Sequence, residues 1–360
     1  MRAALSLARR NLGQTWPNPT VACILVKHGR VLARAITAPG GRPHAEAAAL
    51  ALAGPEARGA TAYVTLEPCA HHGRTPPCAE ALVAAGIARV VVAGNDPDPR
   101  VNGSGYAILR AAGIPIETGL LAAEADHLQA GFLLRTTQNR PLVTLKLATT
   151  LDGRLATATG ESQWITGPQA RRHAHALRGT HDATLAGIGT VLADDPALTC
   201  RITGFRRTPD LRLVLDTNLR TPPAATLVRT APETPTWILH APTANPARKA
   251  ALEQAGVRLI EVEAGQGGLN LPAAFQTLAR EGLTRILVEG GAAIAGALLA
   301  ANLVDRITWF HAPAIIGGDG LPATAPFGIA ALAEAPRFRR TATIPLGPDL
   351  LTEYERIPTP

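Results

Sequence analysis

His44-Ala45-Glu46, then Pro68-Cys69 and, nine positions on, Cys78 bring an imidazole, a carboxylate and two thiols into one short stretch of chain. One imidazole and two thiols are three corners of a tetrahedral zinc site. An open fourth corner separates catalytic from structural zinc. A carboxylate two residues after the histidine is the usual proton shuttle of a zinc deaminase; Glu46 would take a proton from water and pass it to the leaving amine. Alone, an H-x-E triplet recurs by chance and a single Cys69 reads as a buried thiol. Together they make His44, Cys69 and Cys78 the expected ligands of one Zn2+ per chain and Glu46 the expected catalytic residue.

Positioning these groups takes an α/β framework. Gly40-Gly41-Arg42-Pro43 leads into a helix at 44–53, the proline fixing the entry of the chain. Cys69 follows a strand at 62–66, and strand ends are where α/β folds place their sites. Cys78 opens a helix at 78–85 whose positive N-terminus stabilises a thiolate. Around them the pattern predicts a helix at 2–12, strands at 21–26 and 31–38, a strand at 89–93 and a helix at 106–112, with no element assigned to 114–136. The β-β-α-β-α-β-α order implies one sheet with helices on both faces.

A polar run ending in proline, Thr137-Gln138-Asn139-Arg140-Pro141, marks a boundary, giving expected domains 1–138 and 139–360. Strands are then expected at 142–148, 183–187, 211–216, 237–240, 257–262, 285–289, 306–312 and 348–356, and helices at 169–177, 246–255, 271–281 and 292–301. Between them, 221–236 reads as a Pro/Thr-rich surface stretch, and Gly187–Pro196 follows a strand with small residues that leave the backbone open to a ligand. Val288-Glu289-Gly290-Gly291 ends a strand, turns on two glycines and starts a helix, a place where free N–H groups bind anions. It is not G-x-G-x-x-G, so the dinucleotide fingerprint of a Rossmann domain is missing.

Composition sets the outer limits. The 360 residues suit two domains, and 46% hydrophobic against 18% charged residues supplies ample core. No apolar run approaches the ~20 residues of a membrane span, and the first residues lack a signal-peptide pattern. Cysteines at 23, 69, 78 and 200 are too few and irregular for a disulfide framework; thiolate ligands call for a reducing compartment, so a cytoplasmic protein is expected. The formal charge is +7 and the pI about 9.8. The basic residues are dispersed without a Lys/Arg run or aromatic stripe, so no nucleic-acid partner is expected. An anionic small-molecule substrate suits that charge. A homo-oligomer, dimer or tetramer, is expected.

The run from Thr65 to Cys78 (TLEPCAHHGRTPPC) resembles the bifunctional riboflavin-biosynthesis family, a pyrimidine deaminase fused to a pyrimidine reductase. Cytidine-type deaminases usually carry two residues between the cysteines, and here there are eight. The resemblance extends through Lys146–Arg154, Glu161–Thr166, Thr190–Pro196 and Val288–Gly291, so it spans nearly the whole chain. It implies an N-terminal cytidine-deaminase-like three-layer α/β/α domain and a C-terminal dihydrofolate-reductase-like α/β domain that binds NADPH.

It also implies further site residues. Asn18 would contact the pyrimidine and Arg74 its ribose 5-phosphate, with His71, His72 and Asp96 lining the same cleft. Ala148, Trp164, Thr190, Asp194, Thr217 and the run Gly291, Ala292, Ala293, Ile294, Ala295, Gly296 and Ala297 would contact NADP. Ser162, Arg178, Leu198, Arg201 and Glu289 would contact the substrate, the two arginines being natural phosphate ligands. Lys146 or Asp194 would assist proton movement during ring opening. Thr217 stands where the family commonly has serine, Trp16 where it often has histidine, and Ala22 where it often has glycine; the last two bear on the substrate-side wall. Cys23 reads as core.

The implied activity is zinc-dependent hydrolytic deamination of 2,5-diamino-6-ribosylamino-4(3H)-pyrimidinone 5′-phosphate, then NADPH-dependent reduction of the ribosyl side chain to ribityl. One alternative is a zinc-dependent cytidine, nucleotide or tRNA deaminase with an accessory C-terminal domain. Another is a non-catalytic metal- or nucleic-acid-binding module.

Overall fold

The computed structural model describes residues 1–73, 76–265 and 267–357, and the chain divides into two compact units, Met1–Arg140 and Pro141–Pro360.

The first unit runs α1 (Arg2–Ala8), β1 (Ala22–Lys27), β2 (Arg30–Ile36), α2 (Ala45–Ala53), β3 (Thr61–Leu66), α3 (Cys78–Ala84), β4 (Arg89–Gly94), α4 (Ser104–Ala111), β5 (Ile116–Thr118) and α5 (Ala122–Gln138). Its five strands lie in the order β2-β1-β3-β4-β5. β1 is antiparallel to both neighbours, and β3, β4 and β5 are parallel. The β1–β2 hairpin turns on His28 and Gly29, both at positive φ (49° and 73°), as a two-residue type I′ turn requires. Side chains alternate across each strand. Cys23, Leu25, Val64, Val90 and Val92 pack against Ala45 and Ala49 of α2, Leu82 of α3 and Leu109 of α4. Ala22, Ile24 and Ala93 pack on the other face against Ala4, Leu5 and Ala8 of α1 and Ala125 and Leu128 of α5. The result is the three-layer α/β/α arrangement, with the site helices α2 and α3 on one side.

Two features go beyond the sequence reading. The first helix is α-helical only to Ala8 and closes in a 3-10 turn, Arg9–Asn11, where the Asn11 amide leaves the helix pattern to donate to the Thr37 carbonyl at 2.9 Å. The unassigned stretch 114–136 holds β5 and most of the long helix α5.

The second unit runs β6 (Leu142–Thr149), β7 (Arg154–Ala156), α6 (Pro168–Gly179), β8 (Ala183–Gly187), α7 (Ile188–Asp194), β9 (Leu211–Leu215), α8 (Thr226–Arg229), β10 (Thr236–His240), α9 (Pro246–Gln254), β11 (Arg258–Glu261), β12 (Ala264–Gly265), β13 (Gly268–Leu269), α10 (Leu271–Arg280), β14 (Arg285–Val288), α11 (Ala292–Ala300), β15 (Arg306–His311), β16 (Leu321–Pro322), β17 (Phe338–Leu346) and β18 (Asp349–Arg356). Nine strands form one sheet, β11-β10-β9-β8-β14-β6-β15-β18-β17. It is parallel from β11 to β15 and antiparallel at β18 and β17. The central strand β14 is buried throughout, as expected of a parallel strand covered on both faces. β14 sits between β8 and β6, so Glu289, Gly187 and Thr150 emerge at one edge of the sheet.

Here too the structure departs from the reading. Most of Gly187–Pro196, to which no element was assigned, is the helix α7. The C-terminal strand is one arm of a hairpin whose other arm, β17, turns Phe338, Ala342, Ile344 and Leu346 partly inward and Arg339, Thr341 and Thr343 outward. Arginines and threonines on the outward face suit an edge strand, which must avoid pairing with another chain. Among the described residues no helix is long and apolar enough to cross a membrane.

Candidate functional site

His44 is the extended residue that caps α2, Glu46 lies in the first turn of that helix, and Cys78 is the first residue of α3. Cys69 sits just beyond β3. These elements converge: His44 Nδ1 stands 3.6 Å from Cys69 Sγ and 3.4 Å from Cys78 Sγ. The backbone N–H of Cys78 donates to Cys69 Sγ at 3.3 Å. All three ligand atoms fall within 4.8 Å of one another. One imidazole nitrogen and two sulfurs meeting at a helix N-terminus fit a zinc ion. Without metal the two thiols share a proton unevenly. Hydrogen bonding from Cys78, working against burial and helped by His44, pulls Cys69 down to about 4, while Cys78 is pushed up by the same bond and by burial. A divalent cation displaces that proton.

Glu46 is buried beside this cluster. Burial, with the Cys69 thiolate adding to it, pushes its carboxyl up to about 7. A group poised there both takes and returns a proton near neutral pH. Cys23 is fully buried under Glu46, in the core as expected.

Asn18 reaches the same place from the far side. Its amide donates to the Gly41 carbonyl at 2.8 Å and stands 3.5 Å from His44 Nε2. Gly41 is at φ +86°, and a Cβ there would come within 2.6 Å of Asn18 Nδ2, so only glycine leaves Asn18 its position. Asp96 is buried, accepts the Asp98 N–H at 2.9 Å, and is pushed up to about 6 by burial. His71 is half-buried with Nδ1 unpartnered, whereas His72 is exposed and pairs with Glu80 of α3 at 3.4 Å. Arg74 lies outside the described residues. Ala22 packs on the face of β1 opposite Cys23, in the α1/α5 layer, so its methyl group does not touch the metal-site layer.

Two positioning residues escaped the sequence reading. Glu67, buried, accepts the Gly103 N–H at 2.9 and 3.2 Å. A Cβ on Gly105 would lie 2.0 Å from the Pro68 carbonyl oxygen. The start of α4 therefore lies directly on the Pro68-Cys69 segment and holds it in place. The only cue was a pair of glycines in a proline-containing loop.

The second unit gathers its charged residues around Glu289. Arg178 donates from Nε and Nη2 to the two carboxylate oxygens at 2.5 and 2.9 Å, and from Nη1 to the Thr199 carbonyl at 3.0 Å. Lys146 Nζ lies 3.7 Å from Glu289. Burial alone would raise the Glu289 carboxyl, but Arg178 and Lys146 hold it at about 2. Arg201 is exposed and donates from Nε to His175 Nε2 at 3.2 Å. Arg178 has thus committed its donors to protein groups, and Arg201 is the arginine left facing outward. Leu198 is buried with Val191 and Val214 in the apolar core.

The expected cofactor residues fall in three places. At the start of α11 the Gly291 N–H donates to Thr190 Oγ1 of α7 at 3.2 Å, and a Cβ on Gly290 would meet Ile294 at 2.0 Å. Ala292, Ala293 and Ala297 are at least partly open, whereas Ile294 and Ala295 are buried and Gly296 lies against the Ala325 carbonyl. Ala148 is half-buried near the end of β6; Ser162 and the exposed Trp164, with the Arg171 guanidinium 4.6 Å above its ring, follow in the next loop. Thr217, just after β9, lines a cavity of about 380 Å³. Asp194 is exposed as the last residue of α7.

Fold and sites define a zinc-dependent deaminase joined to a reductase. Residues 1–94 match the cytidine and deoxycytidylate deaminase zinc-binding region, and residues 141–352 match the RibD C-terminal domain. The riboflavin biosynthesis protein RibD of Escherichia coli K12 is 43% identical over 362 residues, covering 97% of this chain and 96% of that one. A crystal form of Acinetobacter baumannii RibD superposes with a TM-score of 0.88 at 36% identity, covering 99% and 98% of the two chains. The Thermotoga maritima diaminohydroxyphosphoribosylaminopyrimidine deaminase/5-amino-6-(5-phosphoribosylamino)uracil reductase gives 0.85 at 31% identity over 99% and 97%. The chain belongs to the RibD family of riboflavin biosynthesis proteins. It is a bifunctional enzyme, deaminase and reductase, with zinc and NADPH as cofactors.

Proposed function

We propose that the first unit deaminates 2,5-diamino-6-ribosylamino-4(3H)-pyrimidinone 5′-phosphate and that the second reduces its ribosyl group to ribityl. His44, Cys69 and Cys78 hold the zinc. When bound there, zinc supplies Lewis-acid activation of water. Glu46 takes the proton from that water and delivers it to the departing amine. Asn18 orients the pyrimidine beside His44, and Asp96 and His71 border the ring. Glu67 and Gly105 fix the Pro68-Cys69 segment so that both sulfurs stay on target.

In the second unit NADPH supplies the hydride. Thr190 and the Gly290-Gly291 turn receive its phosphates, and Ala148 and Trp164 flank its nicotinamide end. Glu289 and Arg178 form the fixed floor of the substrate site, Ser162 borders it, and Arg201 takes the substrate phosphate. Lys146, within that cluster, is better placed than the outlying Asp194 to move a proton during ring opening. Positioning contributes most here, since donor carbon and sugar carbon must be held in contact. The thiolate ligands support a cytoplasmic, reducing location. The protein is also proposed to be a homo-oligomer, which light scattering of the purified protein tests.

The observation that carries the reading is the convergence of His44 Nδ1 and the two cysteine sulfurs beside a buried glutamate. The test is to give purified protein the diaminopyrimidine ribotide and, separately, its deaminated product, with and without a chelator. Ammonia release should stop on chelation while NADPH oxidation on the deaminated product continues. Ammonia release that survives complete zinc removal would overturn the reading.

A further inference from the structure

We infer that Arg220 selects NADPH over NADH by receiving the 2′-phosphate of the adenosine ribose. This rests on the second unit being the NADPH reductase, and it names the residue by which that cofactor is told from its unphosphorylated form.

The cavity at the end of β9 is lined by Thr217, Asn218, Arg220, Ile188 and the glycines of the β12–β13 hairpin, and holds about 380 Å³. That lies in the ordinary size range of small-molecule sites, about 300–1,000 Å³. Its lining contains no carboxylate, and among the described residues Arg220 makes no hydrogen bond or ion pair. Arg220 is therefore an exposed guanidinium without a partner at the mouth of a cavity.

Its placement is built in. Asp216 is fully buried and accepts both the N–H and the hydroxyl of Thr221, at 2.7 and 2.8 Å. Between them Leu219, at φ +52°, drops into the core beside Val214 and Leu227. With Leu219 plugged inward, Asn218 and Arg220 are turned out on either side of it. Arg248 holds the other flank, donating to the Asn218 carbonyl at 3.3 Å.

The location suits one end of a dinucleotide. β9, β8, β14 and β6 are consecutive and parallel in the sheet. Three strand spacings separate Thr217 from Ala148, roughly 14 Å. Between the two stands the Thr190–Gly291 contact, where the pyrophosphate belongs. A dinucleotide with its nicotinamide at β6 thus brings its adenosine to β9, where Arg220 offers a planar donor pair matched to a phosphate. NADH would leave Arg220 solvated and gain nothing from it.

Equilibrium titration of the full chain tests this, with NADPH and NADH followed by nicotinamide fluorescence and with adenosine 2′,5′-bisphosphate and 5′-AMP as probes lacking the nicotinamide. Arg220→Ala is expected to weaken NADPH and the bisphosphate about 10–100-fold and to leave NADH and AMP within about twofold. Arg220→Lys should recover part of the loss. An unchanged NADPH-to-NADH ratio in Arg220→Ala would sink the proposal and leave the reductase intact. Wild-type protein that binds neither dinucleotide would instead overturn the reductase assignment, and this proposal with it.

Discussion

The two sites are built in opposite ways. The proposed deaminase site takes its metal ligands and its proton carrier from one stretch, His44 to Cys78, on the starts of two adjacent helices and the end of one strand. The proposed reductase site draws Lys146, Arg178, Arg201 and Glu289 from distant segments, brought together as β14 enters the sheet between β8 and β6. A small ion needs three donors within a few ångströms, and a local motif meets that demand. A large cofactor and a phosphorylated sugar need a long surface, and only the assembled sheet provides one.

The sharpest way to break this contrast is Glu46→Ala. It should lower ammonia release by about 10²–10⁴-fold while bound zinc, by metal analysis, and NADPH oxidation on the deaminated substrate stay intact. Loss of both activities would mean that the sites are not separable. Glu289→Gln should act the other way. Removing one partner of a buried ion pair costs about 3–5 kcal/mol, so the melting transition of the second unit should fall while zinc content holds.

The same carboxylate sets an acid limit. Its folded value of about 2 is depressed, against roughly 4.3 for a free glutamate. Its contribution is therefore complete above about pH 5 and is lost as pH falls from there toward 2. Denaturant titrations at stepped pH should show this loss in wild type and not in Glu289→Gln. A smaller effect is expected from Gly105→Ala, which pushes on the Pro68 carbonyl and should weaken zinc about 10–100-fold, as disturbing a ligand's support usually does; competition with a chromogenic chelator measures it. The smallest is Ala22→Gly, expected to cost about 0.5–1 kcal/mol in strand stability and to leave both kcat values unchanged.

That ranking matches how much of each site could be read from the chain. His44, Glu46, Cys69 and Cys78 were legible because their spacing carries the chemistry. Glu67 and Gly105 were not, because α4 meets the Pro68 segment only after β4 has paired with β3. The buried positions of α5, Ala125, Leu128, Gln129 and Phe132, repeat at helical spacing and were an available signal. The strand β17 carried a period-two signal in Phe338, Ala342, Ile344 and Leu346, interrupted by Arg340 and with Pro345 before its last residue, that the sequence reading passed over. In the second unit most strands were legible one by one, β17 and the short β7, β12, β13 and β16 excepted, but their order was not. That Arg178 would be tied to Glu289 and Thr199, leaving Arg201 outward, depends entirely on that order.

The Lys146–Arg178–Glu289 group has one more consequence. Arg178 is raised and the Glu289 carboxyl is held down at about 2, so this ion pair keeps the same charges throughout the neutral range. What modulates capture is then the ionic atmosphere, with a Debye length of about 8 Å at physiological strength. Substrate on-rates should fall as salt rises.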